Sequence, residues 1–306
     1  MDIESFLKSI DCEFLQNEPL KNHTTFKIGG NCDYFVLPEN IEQIKEIYMF
    51  AKQNNIRLTV FGNGSNMLIS DFGVNGIVLS TEKLKTTELK NGTNILAYAG
   101  VKLSVLCQFA LENSLTGLEF LWGIPGTAGG AVFMNAGAYG GEISSVLKSC
   151  TFLNENGEII TKPAEELKLG YRTSIFKNAE NKSIILFAEF NLKIGNKTQI
   201  RAQMEELMKR RKEKQPLEYP SAGSVFKRPK GYFAGTLIEE CGLKGLRIGG
   251  AEVSEKHAGF IVNKENATAS DVTALIEKIK KEVFLKTSVE LETEVLYIER
   301  DNKWNS

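Results

Sequence analysis

The chain has 306 residues, 42% hydrophobic and 25% charged, the proportions of an ordinary globular protein with room for about two domains of ~150 residues. Its 37 Lys and Arg nearly balance 38 Asp and Glu, for a net charge of −1, which excludes a general electrostatic affinity for nucleic acid or an anionic membrane. Five scattered cysteines without a C-x-x-C pair, and only two histidines, argue against a disulfide framework, structural zinc or a histidine metal cluster.

The first residues, MDIESFLKSIDCEF, are acidic early and lack the basic start and apolar run of a secretory signal. No stretch approaches ~18 consecutive apolar residues, so no membrane span is expected. DYFVL (33–37) reads as a strand. Asn40 and Gln43 form a capping box ahead of a helix carrying Ile41, Ile44, Ile47 and Ala51 at helical spacing. RLTVF (57–61) is a second strand and runs into FGNGSNMLIS (61–70), where Gly62, Asn63, Gly64, Ser65 and Asn66 form a turn. Consecutive main-chain N–H groups in such a turn suit a phosphate; taken alone, the residues favour an ordinary β-turn. The dinucleotide fingerprint G-x-G-x-x-G fails here, because Met67 takes the third glycine position and DFGVNG breaks the required helix.

GIVLS (76–80) and TNILAYA (93–99) are further strands, and Ser104 caps a helix with Val105, Leu106, Phe109 and Ala110. GIPGTAGGAVFMNAGAYGG (123–141) then crowds seven glycines around Ile124, Val132, Phe133 and Met134. Those apolar residues want burial, so the segment is no linker. It is either a set of tight turns under the core or a backbone against which a ligand lies. Together the two glycine-rich segments suit the two ends of one extended anionic ligand. The Walker A pattern of a simple nucleoside-triphosphate site is absent.

GYRTSIFK (170–177) sets Arg172 beside Tyr171, and arginine is suited to a bidentate grip on a carboxylate. SIILFAEFNLKI (183–194) is a strand. A helix from Lys197 to Lys214 turns Ile200, Met204, Leu207 and Met208 inward, and its KRRKEK ending (209–214) reads as a solvated helix end. Pro216 and Pro220 follow, which places a domain break near 215 and divides the chain into 1–215 and 216–306. YPSAGSVFKRP (219–229) puts Ser224 among small residues, with Lys227 three places on and no G-x-S-x-G elbow, so a hydrolase triad has little support. AGFIVN (258–263) is a strand, and Ser270 with Asp271 starts a helix carrying Val272, Leu275, Ile276, Ile279 and Val283. VELETEVLYI (289–298) alternates as one continuous strand. Glu290 and Glu292 belong to a solvated face, whereas Glu294 abuts Leu296 and Ile298 and is expected to be partly buried with a raised pKa. Helices and strands mix without regular βαβ alternation, which favours α+β.

NHTTFKIGG (22–30), FGNGSNML (61–68), GIPGTAGGAVFMNAGAYG (123–140), YRTSIFK (171–177), AGSVFKRP (222–229) and GGAEVSEKHAGFIVN (249–263) follow one another in an order that resembles the UDP-N-acetylenolpyruvoylglucosamine reductase family. The resemblance covers roughly residues 20–298. It implies a vanillyl-alcohol-oxidase-like FAD-binding region and a smaller C-terminal α+β substrate domain. Gly62, Asn63, Gly64, Ser65 and Asn66 match the first flavin turn. Ile124, Pro125, Gly126, Thr127, Gly130, Ala131, Asn135, Gly137 and Ala138 belong to the second. Arg172 matches the active-site arginine, Ser224 the proton donor and Glu294 the active-site glutamate, with Tyr171 and Lys227 as substrate-binding residues. Arg228 stands where other members have Asn. Ser224 follows Arg172 closely, as in the branch that lacks an extra loop bearing a substrate-covering tyrosine.

The implied reaction is NADPH-dependent reduction of UDP-N-acetylglucosamine-enolpyruvate to UDP-N-acetylmuramate, in peptidoglycan synthesis. Hydride passes from FAD to the terminal enol carbon. Arg172 and a protonated Glu294 face the developing charge, and Ser224 protonates the neighbouring carbon. A cytoplasmic monomer is expected, with no metal, nucleic acid or membrane as partner. The rival within enzymes is a flavin oxidase of the same cofactor-binding class, told apart by rapid reoxidation in air.

Overall fold

Helix α1 (Ile3–Ser9) is capped by Asp2, whose carboxylate accepts the Ser5 N–H at 2.8 Å. The computed structural model describes residues 1–178 and 182–300. In the first sheet, Glu13–Pro19 runs antiparallel to Asn31–Leu37, and Val74–Ser80 pairs parallel with both Asn31–Leu37 and Leu58–Phe61. Parallel partners need a crossover, and α2 (Ile41–Gln53) carries the chain from Asn31–Leu37 to Leu58–Phe61. Asn40 caps α2 through the Gln43 N–H at 2.9 Å, but the Gln43 side chain reaches one residue further back, accepting the Glu39 N–H at 2.8 Å. Ile44 and Ile47 bury one face of this sheet, and Phe35, Phe61 and Val78 fill the other.

The second sheet is antiparallel throughout, in the order Ile159–Pro163, Leu147–Leu153, Ile184–Asn191, Asn94–Tyr98, Thr87–Lys90. It shares a core with α3 (Leu103–Glu112), α4 (Ala128–Met134) and α5 (Lys197–Lys214). α3 begins one residue before Ser104, after Lys102, which contributes no side-chain cap. Its start is set by tertiary pairing, since Lys102 bridges Thr127 and the Leu103 N–H donates to Gly126 O at 3.0 Å. The glycine-rich segment is not only turns: Thr127 caps α4 within it.

The third sheet, Ser221–Ser224, Phe260–Asn263, Ala251–Val253, Arg247–Ile248, is also antiparallel. It packs with α6 (Ala234–Glu240) and α7 (Ala269–Thr287) around Val272, Leu275, Ile276, Ile279 and Val283. α7 starts at Ala269 on a Thr268–Asp271 capping box, not at Ser270. The Ser270 hydroxyl is taken by a tertiary partner, donating to Asp71 at 2.7 Å.

Residues 289–298 do not form one strand. Leu291 and Val295 are buried in the third core, Thr293 bridges Phe226, and only Leu296–Ile298 is a strand, parallel to Met67–Ile69 of the first region. The segment changes partner half-way, so no continuous ladder forms. Phe26, Ile28 and Leu68 from the first third of the chain also enter the third core.

Candidate active site

The strand Leu58–Phe61 delivers the first glycine-rich turn to the edge of a cavity of about 1230 Å³. Gly64 has φ +57°, and a Cβ there would lie 2.3 Å from His23 O, so only glycine fits. The Asn63 side chain donates to Pro125 O at 2.7 Å, tying this turn to the second. A Cβ on Gly62 would fall 2.5 Å from Thr127 Oγ1, the same junction in another place. All of Gly62, Asn63, Gly64, Ser65 and Asn66 line the cavity.

Ile124, Pro125, Gly126, Thr127, Gly130, Ala131, Gly137 and Ala138 line it from the second segment. The glycines there do two different things. Gly129, which also lines the cavity, presses on Ala99 just past the strand Asn94–Tyr98, where a Cβ would come within 2.8 Å of Ala99 Cβ. Gly130, one residue on, would meet only Thr127 Oγ1 at 3.4 Å and faces the open cavity. Asn135 does not line the cavity. It is fully buried in a left-handed conformation ending α4, with its amide donating to Gly170 O at 2.9 Å and its carbonyl accepting the Ser144 N–H at 2.9 Å. Both ends of that side chain are spent on holding loops in place.

Across the cavity stand Tyr171, Arg172, Ser224 and Glu294. Arg172 Nε donates to Glu294 Oε1 at 2.6 Å and Nη2 to Gly137 O at 3.2 Å. The Glu294 main chain is fixed on both sides, its N–H donating to Val225 O at 2.7 Å and its O accepting the Asn66 side chain at 3.2 Å. Its carboxyl is pushed above the ordinary carboxylate range by burial, which outweighs the opposing pull of Arg172, Lys177 and Lys227. Glu290 and Glu292 are exposed. Ser224 ends the strand Ser221–Ser224, where pairing slips against Phe260–Asn263 and Gly223 has φ +77° with open space around it. A bulge of that kind re-aims the next side chain, and the Ser224 hydroxyl donates to Phe226 O at 3.2 Å.

Lys227 lies outside the lining. Its ammonium pairs with Glu292 on the neighbouring segment, so it reaches the site only through its charge. Arg228 does line the cavity, with its N–H donating to the Tyr171 hydroxyl at 3.0 Å and its guanidinium 4.6 Å from the Phe233 ring centre. His257 lines it too, with Nδ1 accepting the Gly259 N–H at 3.1 Å and burial holding its pKa below the usual value.

Arg211 is the largest departure from the sequence expectation. It belongs to the KRRKEK ending yet is only 5% exposed and lines the cavity. Nε and Nη2 have no hydrogen-bond partner among the described residues. The signal was present in the sequence: Ile200, Met204, Leu207 and Arg211 form one buried helical stripe. Among the described residues, no cluster of three His, Cys, Asp or Glu side chains fits a metal ion, and no helix is long and apolar enough to cross a membrane.

Two family models match the chain, an FAD binding domain over residues 32–162 and the C-terminal domain of UDP-N-acetylenolpyruvoylglucosamine reductase over 215–298. The UDP-N-acetylenolpyruvoylglucosamine reductase of Clostridium novyi is 50% identical over 305 residues, covering 99% of this chain and 98% of that protein. The chain belongs to the UDP-N-acetylenolpyruvoylglucosamine reductase family. The Listeria innocua enzyme of the same name is 53% identical over 285 residues, covering 93% of this chain and 95% of that protein. The crystal structure of the Thermus caldophilus enzyme superposes with a TM-score of 0.80 at 36% identity, covering 94% of this chain and 98% of that one. Family membership makes the protein an FAD-containing oxidoreductase of peptidoglycan synthesis, with an FAD-binding region followed by a C-terminal domain.

The residues present fit FAD. The cavity exceeds the roughly 300–1,000 Å³ of an ordinary small-molecule site. Two linked glycine turns form one wall of it, and Gly130 leaves a place that a Cβ would fill. Arg211 supplies a buried guanidinium whose Nε and Nη2 have no hydrogen-bond partner among the described residues, suited to a phosphate.

Proposed function

We propose that this cavity carries out the NADPH-dependent reduction of the enolpyruvyl ether of UDP-N-acetylglucosamine, with Arg172, Glu294 and Ser224 as the catalytic residues. The observation that carries the reading is the Arg172–Glu294 pair, bonded at 2.6 Å in the cavity that the glycine turns and Ser224 also line. Gly62 to Asn66, with Ile124, Pro125, Gly126, Thr127, Gly130, Ala131, Gly137 and Ala138, hold FAD, and Asn135 positions that backbone from behind. FAD, reduced by NADPH, supplies the hydride to the terminal enol carbon.

The protein's part is charge and a proton. Addition of hydride leaves negative charge on the neighbouring carbon and its carboxylate. Arg172 faces that charge, and Glu294, whose pKa burial raises, is a second donor in its protonated form. Ser224 gives its hydroxyl proton to the carbon and regains one from solvent. Tyr171 orients the substrate, and Lys227 acts at a distance through its charge. The break at 215, just past the end of α5 at Lys214, separates the cofactor region from the substrate domain. The enzyme acts as a cytoplasmic monomer.

The test is an anaerobic visible spectrum of the purified protein. NADPH should bleach the flavin bands, and the enolpyruvyl UDP-sugar should restore them. In Ser224→Ala the bleaching should persist while product formation falls by about 10²–10³-fold, the scale of losing one well-placed catalytic group. Normal turnover in that variant would remove Ser224 from the mechanism. Rapid reoxidation in air with no response to the sugar would make the protein an oxidase.

A further inference from the structure

Arg172 sits in a backbone conformation that its side chain disfavours. It is the third residue of the turn Gly170–Thr173, closed by reciprocal hydrogen bonds of 3.1 Å, and its φ is +54°. That position with positive φ ordinarily takes Gly or Asn. A residue held so must be secured by its surroundings, and such strain collects where direction matters. Asn135 holds Gly170 O at 2.9 Å, and Ser174 Oγ donates to Phe133 O at 2.7 Å. The carbonyl of Arg172 itself is taken by Lys177 Nζ at 3.0 Å.

Lys177 is an expensive choice for that bond. It is half-buried beside two other cations, Arg172 and Lys227, and faces the carboxylates of Glu294 and Glu292. Burial and like charge both disfavour an ammonium there, whereas a neutral donor would bond a carbonyl without either penalty. A cation at this point both locks the arginine turn and adds a field on Glu294. We infer that Lys177 is a positioning residue of the active site, clamping the left-handed main chain of Arg172 so that its guanidinium is directed at Glu294 and the cavity. This rests on the roles given to Arg172 and Glu294 above.

The test uses the FAD-loaded enzyme and Lys177→Met. FAD content should be retained, and kcat for sugar reduction should fall by roughly 10²-fold, the scale of an ångström-sized misplacement. Lys177→Arg, which keeps donor and charge, should recover most of it. At a pH below the Glu294 limb, Arg172→Met combined with Lys177→Met should be no slower than Arg172→Met alone, because the clamp works through the arginine. The pH limb that belongs to Glu294 should move upward in Lys177→Met, since a neighbouring cation has gone. Losses that multiply in the double variant, or an unmoved limb, would overturn the inference. If the Met variant does not fold, Lys177→Gln keeps a donor without charge and should still move the limb; a fixed limb there would overturn it. Full activity in Arg172→Met would instead sink the parent reading of Arg172.

Discussion

Gly129 and Gly130 are chemically identical neighbours with opposite demands. A methyl at Gly129 would press into Ala99 at 2.8 Å, backbone as well as side chain. Gly129→Ala is therefore expected to cost about 1–3 kcal/mol as an overpacked site, read as a lowered urea midpoint with or without FAD. A methyl at Gly130 meets one hydroxyl oxygen at 3.4 Å, and alanine is the better helix former. Gly130→Ala should leave apoprotein stability unchanged or slightly raised while weakening FAD binding, measured by flavin fluorescence. Equal loss of FAD in both variants without a stability difference would refute the distinction. Glu294 gives a residue-scale prediction in pH. Its folded pKa is raised above the ordinary 4.5, so its contribution to stability is full below that value and is lost as pH rises through the raised one. Glu294→Gln keeps an acceptor for Arg172 Nε and should flatten this slope in denaturation midpoints; an unchanged slope would assign it to another group.

At the N-terminus of α7, Asp71 reaches from the first region to accept the Ala269 N–H at 2.7 Å and the Ser270 N–H at 2.9 Å. Two otherwise orphaned helix donors meet one carboxylate at the positive end of the macrodipole. Asp71→Ala should lower stability by about 1–2 kcal/mol, the range of a lost cap, seen in urea unfolding; no change would mean that water replaces the bonds fully. The same contact explains what the sequence could and could not disclose about elements. The bounds of α5 were legible because its apolar spacing and flanking residues act locally, although Met208, expected inward, is only half-buried and Arg211 completes the buried stripe. The starts of α3 and α7 were misplaced because Ser104 and Ser270 resemble caps, while the real boundaries follow from pairing with Thr127 and bonding to Asp71. The alternation over 289–298 suggested a single ladder, and only the fold reveals that its two halves serve different partners. The candidate site obeys the same rule. Its turns stand out through Gly and Asn, which mark backbone geometry locally. Arg211 was hidden because charge suggested solvent where helical register meant burial, and the ion pair that draws Lys227 away depends on a carboxylate 65 positions later.

Across the whole molecule, the last described strand joins the two ends of the chain at the site. The Glu294 N–H donates to Val225 O, just past the strand Ser221–Ser224, and two residues later the Leu296 N–H donates to Asn66 O at 3.0 Å, in the first glycine turn. Leu296–Ile298 then runs parallel to Met67–Ile69, the strand that leaves that turn. Arg300 continues the tie, with Nη1 donating to Phe72 O at 2.9 Å and Nη2 to Asp33 Oδ1 at 3.1 Å. One short segment thus carries the carboxylate proposed as catalytic and braces the turn proposed to hold FAD, so the two are mechanically linked through a few backbone bonds. A chain ended at Val295 keeps Glu294 and both glycine segments but loses this brace. It should bind FAD more weakly and unfold at lower temperature, and saturating FAD should restore part of the lost stability, because a ligand that binds only the folded state stabilises by mass action. Flavin titration and thermal unfolding with and without added FAD measure both quantities. Retention of full FAD affinity in the shortened chain would show that the first turn holds its shape without the C-terminal strand.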